Sequence, residues 1–405
     1  MRPITGEQAQ SRHALGAPYT VVLKPPGPRP AVAVLHVAGQ HHYVGLWLFD
    51  EYGRRDREVD LRGLEPGRLF LRHFQQWRYA NREAPEFCDE AWHLAVDHYL
   101  DGSSRQVVAS AGRFSGSTHT DSDMREDLRW LPKPDFGCWA ELLNALELDS
   151  EWDYRINDTA ITPTESFTGT PQPFGWRPPT PYSEPLLDLL FTPGAVFTHR
   201  QIPDLVAITV RTVATYTVTD GAVAICDPHV LPSERRDDAI IVELPSGTYP
   251  LEESSTTYLD DLYGTTFTMK DNYAYRLLIS TEPTVSWTMA TRPGDDMRLL
   301  RDDERISFAV DGGDGCLVDV NLRGELVRRF HSRDDKPVQR HDELDKIVDQ
   351  ATGAELLCFP TAGDGDFAVW IGCDANGNIT ALTIPMPFML LDIEPHKAEL
   401  APPIS

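Results

Sequence analysis

Six aspartates, Asp227, Asp311, Asp314, Asp319, Asp364 and Asp366, stand at or near the ends of expected strands, and they are the residues best suited to chemistry. Four of them lie in two acidic turns, Asp311-Gly-Gly-Asp-Gly315 and Gly363-Asp-Gly-Asp366, each leading into an apolar run. Glycine tolerates positive φ, so such turns fold tightly and aim their carboxylates outward. Where strand ends converge, like charges ~4 Å apart repel by about 1 kcal/mol in bulk water and several-fold more where water is excluded. A cation, a raised pKa, a basic partner or simple separation relieves that repulsion. The chemistry on offer is therefore metal-assisted or acid–base catalysis, recognition of a cationic protein surface, or turn formation alone.

The other constellations carry less. Asp374, Asn376 and Asn378 imitate the first ligands of a calcium loop, but Ile379 replaces the turn glycine and Pro385 the bidentate glutamate. His36, His41 and His42 flank a hairpin turn without the further ligands zinc requires. Cys226-Asp-Pro-His229 sits at a strand end, with a proline between the cysteine and the histidine, which favours a buried structural cysteine over a nucleophile pair. Trp77, Tyr79, Trp92, Trp130 and Trp139 are expected in core packing rather than on a recognition surface. Neither the Gly-x-x-x-x-Gly-Lys nor the Gly-x-Gly-x-x-Gly phosphate loop occurs, and no cofactor is expected.

Charge narrows the partners. The 405 residues carry 62 acidic and 37 basic groups, a formal charge of −25. Residues 1–200 hold 20 basic and 27 acidic groups, and residues 201–405 hold 17 and 35, so the second half is the acidic one. That sign opposes nucleic acid and anionic membrane surfaces and attracts a basic protein. Six scattered cysteines, a polar N-terminus and the lack of any run of ~18 apolar residues point to the cytoplasm.

The elements that must position the aspartates are short. The expected fold class is mainly β (α+β), two domains of mostly antiparallel sheet with a few short helices. An N-terminal β-rich domain over 1–159, a Pro/Thr-rich linker over 160–184 and a C-terminal β-rich domain over 185–405 are expected. Apolar runs at 31–37 and 43–49 read as a hairpin, as do 93–99 and 105–109 around Asp101-Gly102. The spacing of apolar residues at 70, 71, 74 and 77 predicts a short helix or bend, 112–127 a polar loop, and 139–148 a helix. In the second half, short strands are expected at 206–218, 222–226, 238–244, 273–279, 284–289, 305–310, 316–320, 355–359 and 378–391. Leu344, Ile347, Val348 and Ala351 predict a helix over 342–351, with Gly353 as its C-cap. Phe367–Ile371 reads as one strand closed by the hairpin turn Asp374-Ala-Asn-Gly377.

Five segments recur in a shared order with a known family: Gly221-Ala-Val-Ala-Ile-Cys-Asp-Pro228, Leu244-Pro-Ser-Gly-Thr-Tyr-Pro250, Trp287-Thr-Met-Ala290, Val310-Asp-Gly-Gly-Asp-Gly-Cys316 with Asp319, and Gly363-Asp-Gly-Asp366. On these, residues 185–395 or so resemble an uncharacterised bacterial family, domain of unknown function 4241. Ser246 departs from the family's proline or glycine, and Asp366 from its apolar or aromatic residue. The resemblance implies a small bacterial accessory protein of the toxin-immunity kind and carries no reaction with it. With the charge, it leads to the expectation of a non-catalytic protein-binding protein that uses an acidic surface. The alternative is a divalent-metal-dependent hydrolase or transferase built on Asp311, Asp314, Asp364 and Asp366.

Overall fold

The computed structural model describes residues 4–25, 30–110, 116–123, 129–146, 177–230, 239–262, 265–332, 339–341 and 344–396. It divides into two compact units, Met1–Thr180 with Arg298–Arg301, and Pro181–Met297 with Asp302–Ser405. Both are mainly β, and every strand pairing between described residues is antiparallel. Most of the expected linker falls in 147–176, outside the described residues, and 177–184 is neither helix nor strand.

The N-terminal unit begins with α1 (Gly6–Ala14), closed at its start by a Thr5–Gln8 capping box. Strands β1 (Tyr19–Leu23), β2 (Ala33–Ala38), β3 (Tyr43–Phe49), β4 (Arg55–Glu65), β5 (Arg68–Arg78), β6 (Trp92–His98), β7 (Ser103–Ser110) and β8 (Gly116–Asp123) follow as a meander in sequence order. β9 (Trp130–Pro132) pairs with β5, and α2 (Trp139–Ala145) comes after it. Alternation turns Leu35, Leu46, Val59, Leu61 and Leu69 to one face, where α2 contributes Trp139, Leu142 and Leu143.

Two expectations fail in this unit. Residues 69–77 form a strand, because a β-bulge at Arg72 inserts one residue between Leu71, opposite Leu61, and His73, opposite Asp60. The extra residue turns an alternating pattern into helix-like spacing. The polar stretch 116–123 is likewise a strand, paired residue for residue with β7 and lacking the apolar pattern that would have marked it.

The C-terminal unit contains α3 (Leu187–Leu190), β10 (Val196–His199), β11 (Val206–Ala207), β12 (Thr209–Val218), β13 (Ala222–Cys226), β14 (Ile240–Glu243), β15 (Gly247–Leu262), β16 (Thr265–Leu278), β17 (Ser286–Met289), β18 (Phe308–Val310) and β19 (Asp314–Asp319). It continues with α4 (Arg323–His331), β20 (Gln339–His341), β21 (Leu344–Val348), β22 (Glu355–Pro360), β23 (Gly365–Phe367), β24 (Trp370–Cys373), β25 (Ile379–Pro385), α5 (Pro387–Leu390) and β26 (Ile393–Pro395).

Two six-stranded sheets, β12-β15-β16-β25-β24-β17 and β14-β13-β19-β22-β21-β20, share a core that includes Tyr216, Ile225, Tyr275, Leu317, Leu357 and Phe359. On the outer face of the second sheet, α4 lays Leu326 and Val327 against Ala224, Cys316, Val318 and Leu356. On the first sheet's other side, α3 and the small sheet β11-β10-β26 form a separate cluster around Phe197 and Leu190.

Residues 344–348 are a strand and not the expected helix. Leu344 enters the shared core and Ile347 the α4 layer, so both faces of β21 are buried and the apolar spacing mimics a helix. Gly353, at φ +79°, turns β21 into β22 instead of capping a helix. The run Phe367–Ile371 also divides: Phe367 ends β23, paired with β18, and Trp370 opens β24, which lies between β25 and β17. Among the described residues no helix is long and apolar enough to cross a membrane.

Candidate functional site

The two acidic turns are held side by side by backbone pairing. β18 pairs with β23, setting Val310 opposite Gly365, and β19 pairs with β22, setting Asp314 opposite Pro360. The Thr361 N–H then donates to the Gly313 carbonyl at 2.9 Å, joining one turn to the other. Gly363 at φ +122° and Gly365 at φ +154° supply backbone conformations that side chains resist. Asp311, Asp364 and Asp366 are exposed on this edge, and the Asp314 side chain is 38% exposed.

Asp227 and Asp319 do different work. Asp227 is 3% exposed and accepts the backbone N–H of His229 at 2.6 Å and of Asp311 at 2.8 Å. It pins the end of β13 to the first acidic turn, so its carboxylate is spent on the scaffold. Asp319 is 1% exposed and takes the Thr219 hydroxyl and the N–H groups of Asn321 and Leu322. It lies at the opposite end of β19 from Asp314, roughly 17 Å away at the usual strand rise. Five of the six aspartates therefore gather at one end of the sheet system, and Asp319 stands apart from them.

His229 completes the edge. Its Nε2 lies 3.2 Å from the Asp314 carboxylate, and its ring packs edge-on against Phe330 and His331. Gly312 makes room for it, since a Cβ there would fall 2.3 Å from the imidazole. Gly312→Ala is expected to swing the ring off Asp314 and Phe330 and so move the His229 ring-proton shifts in an NMR spectrum, with the fold intact. Unchanged shifts would mean the ring does not sit over residue 312.

Residues 216–384 match the model of a family described as a protein of unknown function, DUF4241. No curated protein and no solved structure matches the chain. The DUF4241 span runs from within β12 to within β25, so it takes in nearly all of both six-stranded sheets and all six aspartates, and leaves out β10, β11 and β26. The acidic edge is thus part of the DUF4241 region itself and not of the segments around it.

Cys226, Cys316 and Cys358 form a row across β13, β19 and β22 that the sequence reading missed, because only long-range register brings them together. The sulfurs of Cys226 and Cys316 are 3.7 Å apart. Burial pushes the thiols of Cys316 and Cys358 well above the usual range, which keeps them protonated and poor as nucleophiles. Cys226 itself is buried in the α4 layer, as expected for a structural cysteine.

The rejected calcium loop is a turn that satisfies itself: Asp374 accepts the Asn378 side-chain amide and the backbone N–H groups of Asn378 and Asn376, and those bonds, the Asn378 side-chain one first, lower its pKa. His36 packs edge-on against Trp47, and burial together with the Arg55 charge pushes its pKa down to about 3. Among the described residues, no three His, Cys, Asp or Glu side chains are grouped to hold a metal ion. Of the five aromatics, Trp139 is in the core, Trp77 stacks on His93, and Arg78 and Arg68 cover Trp92 and Trp130. Tyr79 lies under Arg54 and donates its hydroxyl to the Arg55 carbonyl.

Proposed function

We propose that the C-terminal unit is a non-catalytic binding module whose acidic turn edge receives a basic protein. What supports this reading is the placement of Asp311, Asp364 and Asp366, exposed on two tethered turns with no lysine or arginine ion-paired to them among the described residues. Asp314 beside them is paired, among the described residues, with His229. Carboxylates fixed in place and left unneutralised attract cationic side chains without reorganising first, which speeds association. The excess of acidic residues over 201–405 extends the attraction beyond contact distance.

An immunity or inhibitor role is the form of this proposal that fits the charge best. A nuclease holds phosphates on a basic surface, and an acidic edge seated there blocks the substrate. The immobilised chain is expected to retain a basic protein from its native host at low salt and to release it as the screening length falls from about 10 Å at 0.1 M to about 3 Å at 1 M. Replacing Asp311, Asp314, Asp364 and Asp366 together by asparagine is expected to slow capture of the same protein about tenfold or more. Equal capture rates for parent and variant, or retention indifferent to salt, would overturn the proposal.

A further inference from the structure

In the N-terminal unit the aliphatic core stops short of the sheet's end and leaves a cavity of about 90 Å³ beside α1 and the turn between β2 and β3. Its floor is apolar, built from Val37, Val44, Leu69 and Trp139. Its polar lining is basic: His13, His42 and Lys133 contribute, together with Tyr19 and Tyr43. Among the described residues no aspartate or glutamate lines it, in a chain that holds 62 of them.

The rim is a fixed structure. The His13 Nδ1 and the Tyr19 hydroxyl are 2.8 Å apart, and Phe136 and Trp139 pack around the imidazole at 5.6 and 6.1 Å. Burial first, then the Lys133 charge, lowers the His13 pKa against a smaller opposing effect of Asp135, and Lys133 itself lines the cavity. Gly16 and Gly39 line the opening where the chain crosses itself, with the Gln40 N–H donating to the Gly16 carbonyl at 2.9 Å. A Cβ on Gly16 would press on Gln40 N at 3.0 Å.

The geometry points to a binding site for a short aliphatic carboxylate, its tail on Val37, Val44, Leu69 and Trp139 and its charge at the rim beside Lys133. A small inorganic anion leaves the apolar floor uncovered, and a hydrocarbon makes no use of the Lys133 charge; an amphiphilic acid uses both. An apolar cavity of about 150 Å³ holds benzene, so this one suits a chain of roughly three or four carbons. The site is independent of the acidic edge in the other unit.

The test is calorimetric titration of the full-length protein with butyrate, n-butanol and n-butylammonium. Butyrate is expected to saturate with a Kd of about 1 mM or below and to bind about tenfold more tightly than butanol, with butylammonium not binding. Lys133→Gln is expected to bring butyrate to the level of butanol. Gly63 also lines the cavity, and a Cβ there meets nothing nearer than His42 O at 3.9 Å and Leu69 Cδ2 at 4.0 Å, so Gly63→Ala narrows the space while the fold stands. It is expected to weaken butyrate and butanol alike. Butanol binding as tightly as butyrate, absence of saturation by about 20 mM butyrate, or parent-like binding in both variants would overturn the inference.

Discussion

Asp97→Asn is expected to cost the N-terminal unit about 3 kcal/mol, read as roughly a hundredfold loss of hydrogen-exchange protection along β5 and β6 in the full chain. The size follows from what converges on this carboxylate. In a regular strand, neighbours such as Arg72 and His73 point to opposite faces; the bulge at Arg72 lets both reach Asp97 on β6. Arg72 Nη1 donates to Asp97 Oδ1 at 2.6 Å, and His73 Nδ1 lies 2.9 Å from the same oxygen. Both basic side chains are more than nine-tenths buried, and Asp97 is 23% exposed.

Arg72 also donates through Nε to the Leu299 carbonyl, and Arg62, locked to Asp60 by two bonds, donates to the Arg298 carbonyl. The segment 298–301 is thus tied to this unit through buried arginines whose positions depend on the carboxylates of Asp97 and Asp60. Removing the Asp97 charge takes from the buried Arg72 guanidinium a carboxylate it is bonded to at 2.6 Å, which costs more than the loss of one neutral hydrogen bond. Protection within about threefold of the parent would mean that solvent already answers these cations.

The same pair sets an acid limit. Burial raises the Asp97 pKa, but the hydrogen bonds and charges of His73 and Arg72 outweigh it and hold the carboxyl well below the usual range. A depressed folded-state pKa contributes stability that is complete above the unfolded value of about 4 and is lost as pH falls through the folded value. The difference between parent and Asp97→Asn is therefore expected to be full at pH 6 and to shrink on acidification below about pH 4.

Local chemistry made much of the fold legible, and long-range pairing hid the rest. The β2–β3 and β6–β7 hairpins showed themselves through apolar runs around turn residues, and the β24–β25 hairpin through Asn376-Gly377, whose glycine takes φ +82°. β5 escaped because a bulge broke its period, and β21 because both its faces are buried in different clusters. The acidic turns could be recognised as turns from their glycines; that they are neighbours depends on the three-residue pairing of β18 with β23, which leaves no trace in composition. Nor does residue type alone separate the roles of Asp227 and Asp319 from those of Asp364 and Asp366. All sit near glycine, proline or a strand end, and only the donors around them tell a scaffold carboxylate from an exposed one.

That separation leads to the second large effect. Asp319→Ala is expected to destabilise the C-terminal unit by about 3–5 kcal/mol, whereas Asp364→Asn changes it by less than about 0.5 kcal/mol. Asp319 Oδ1 accepts from the N–H of Asn321 at 3.0 Å and of Leu322 at 3.1 Å, and Oδ2 accepts the Thr219 hydroxyl at 2.5 Å. Leu322 is the N-cap of α4 and offers no capping side chain, so Asp319 satisfies donors at the helix entrance from the strand before it. Its negative charge also lies at the positive end of the α4 dipole. With alanine, the part-buried N–H groups of Asn321 and Leu322 and the Thr219 hydroxyl lose their acceptor together, at about 1 kcal/mol or more each.

The fault should spread through Leu326 and Val327, which α4 lays on Cys316, Val318 and Leu356, so exchange in β19 and β22 rises together with exchange in the helix. Among the described residues Asp364 accepts no such donors, and it is exposed, which is why its charge can be removed for binding experiments without disturbing the sheet beneath it. Equal destabilisation by Asp319→Ala and Asp364→Asn would show that the acidic turn, and not the helix entrance, is where the fold depends on a carboxylate.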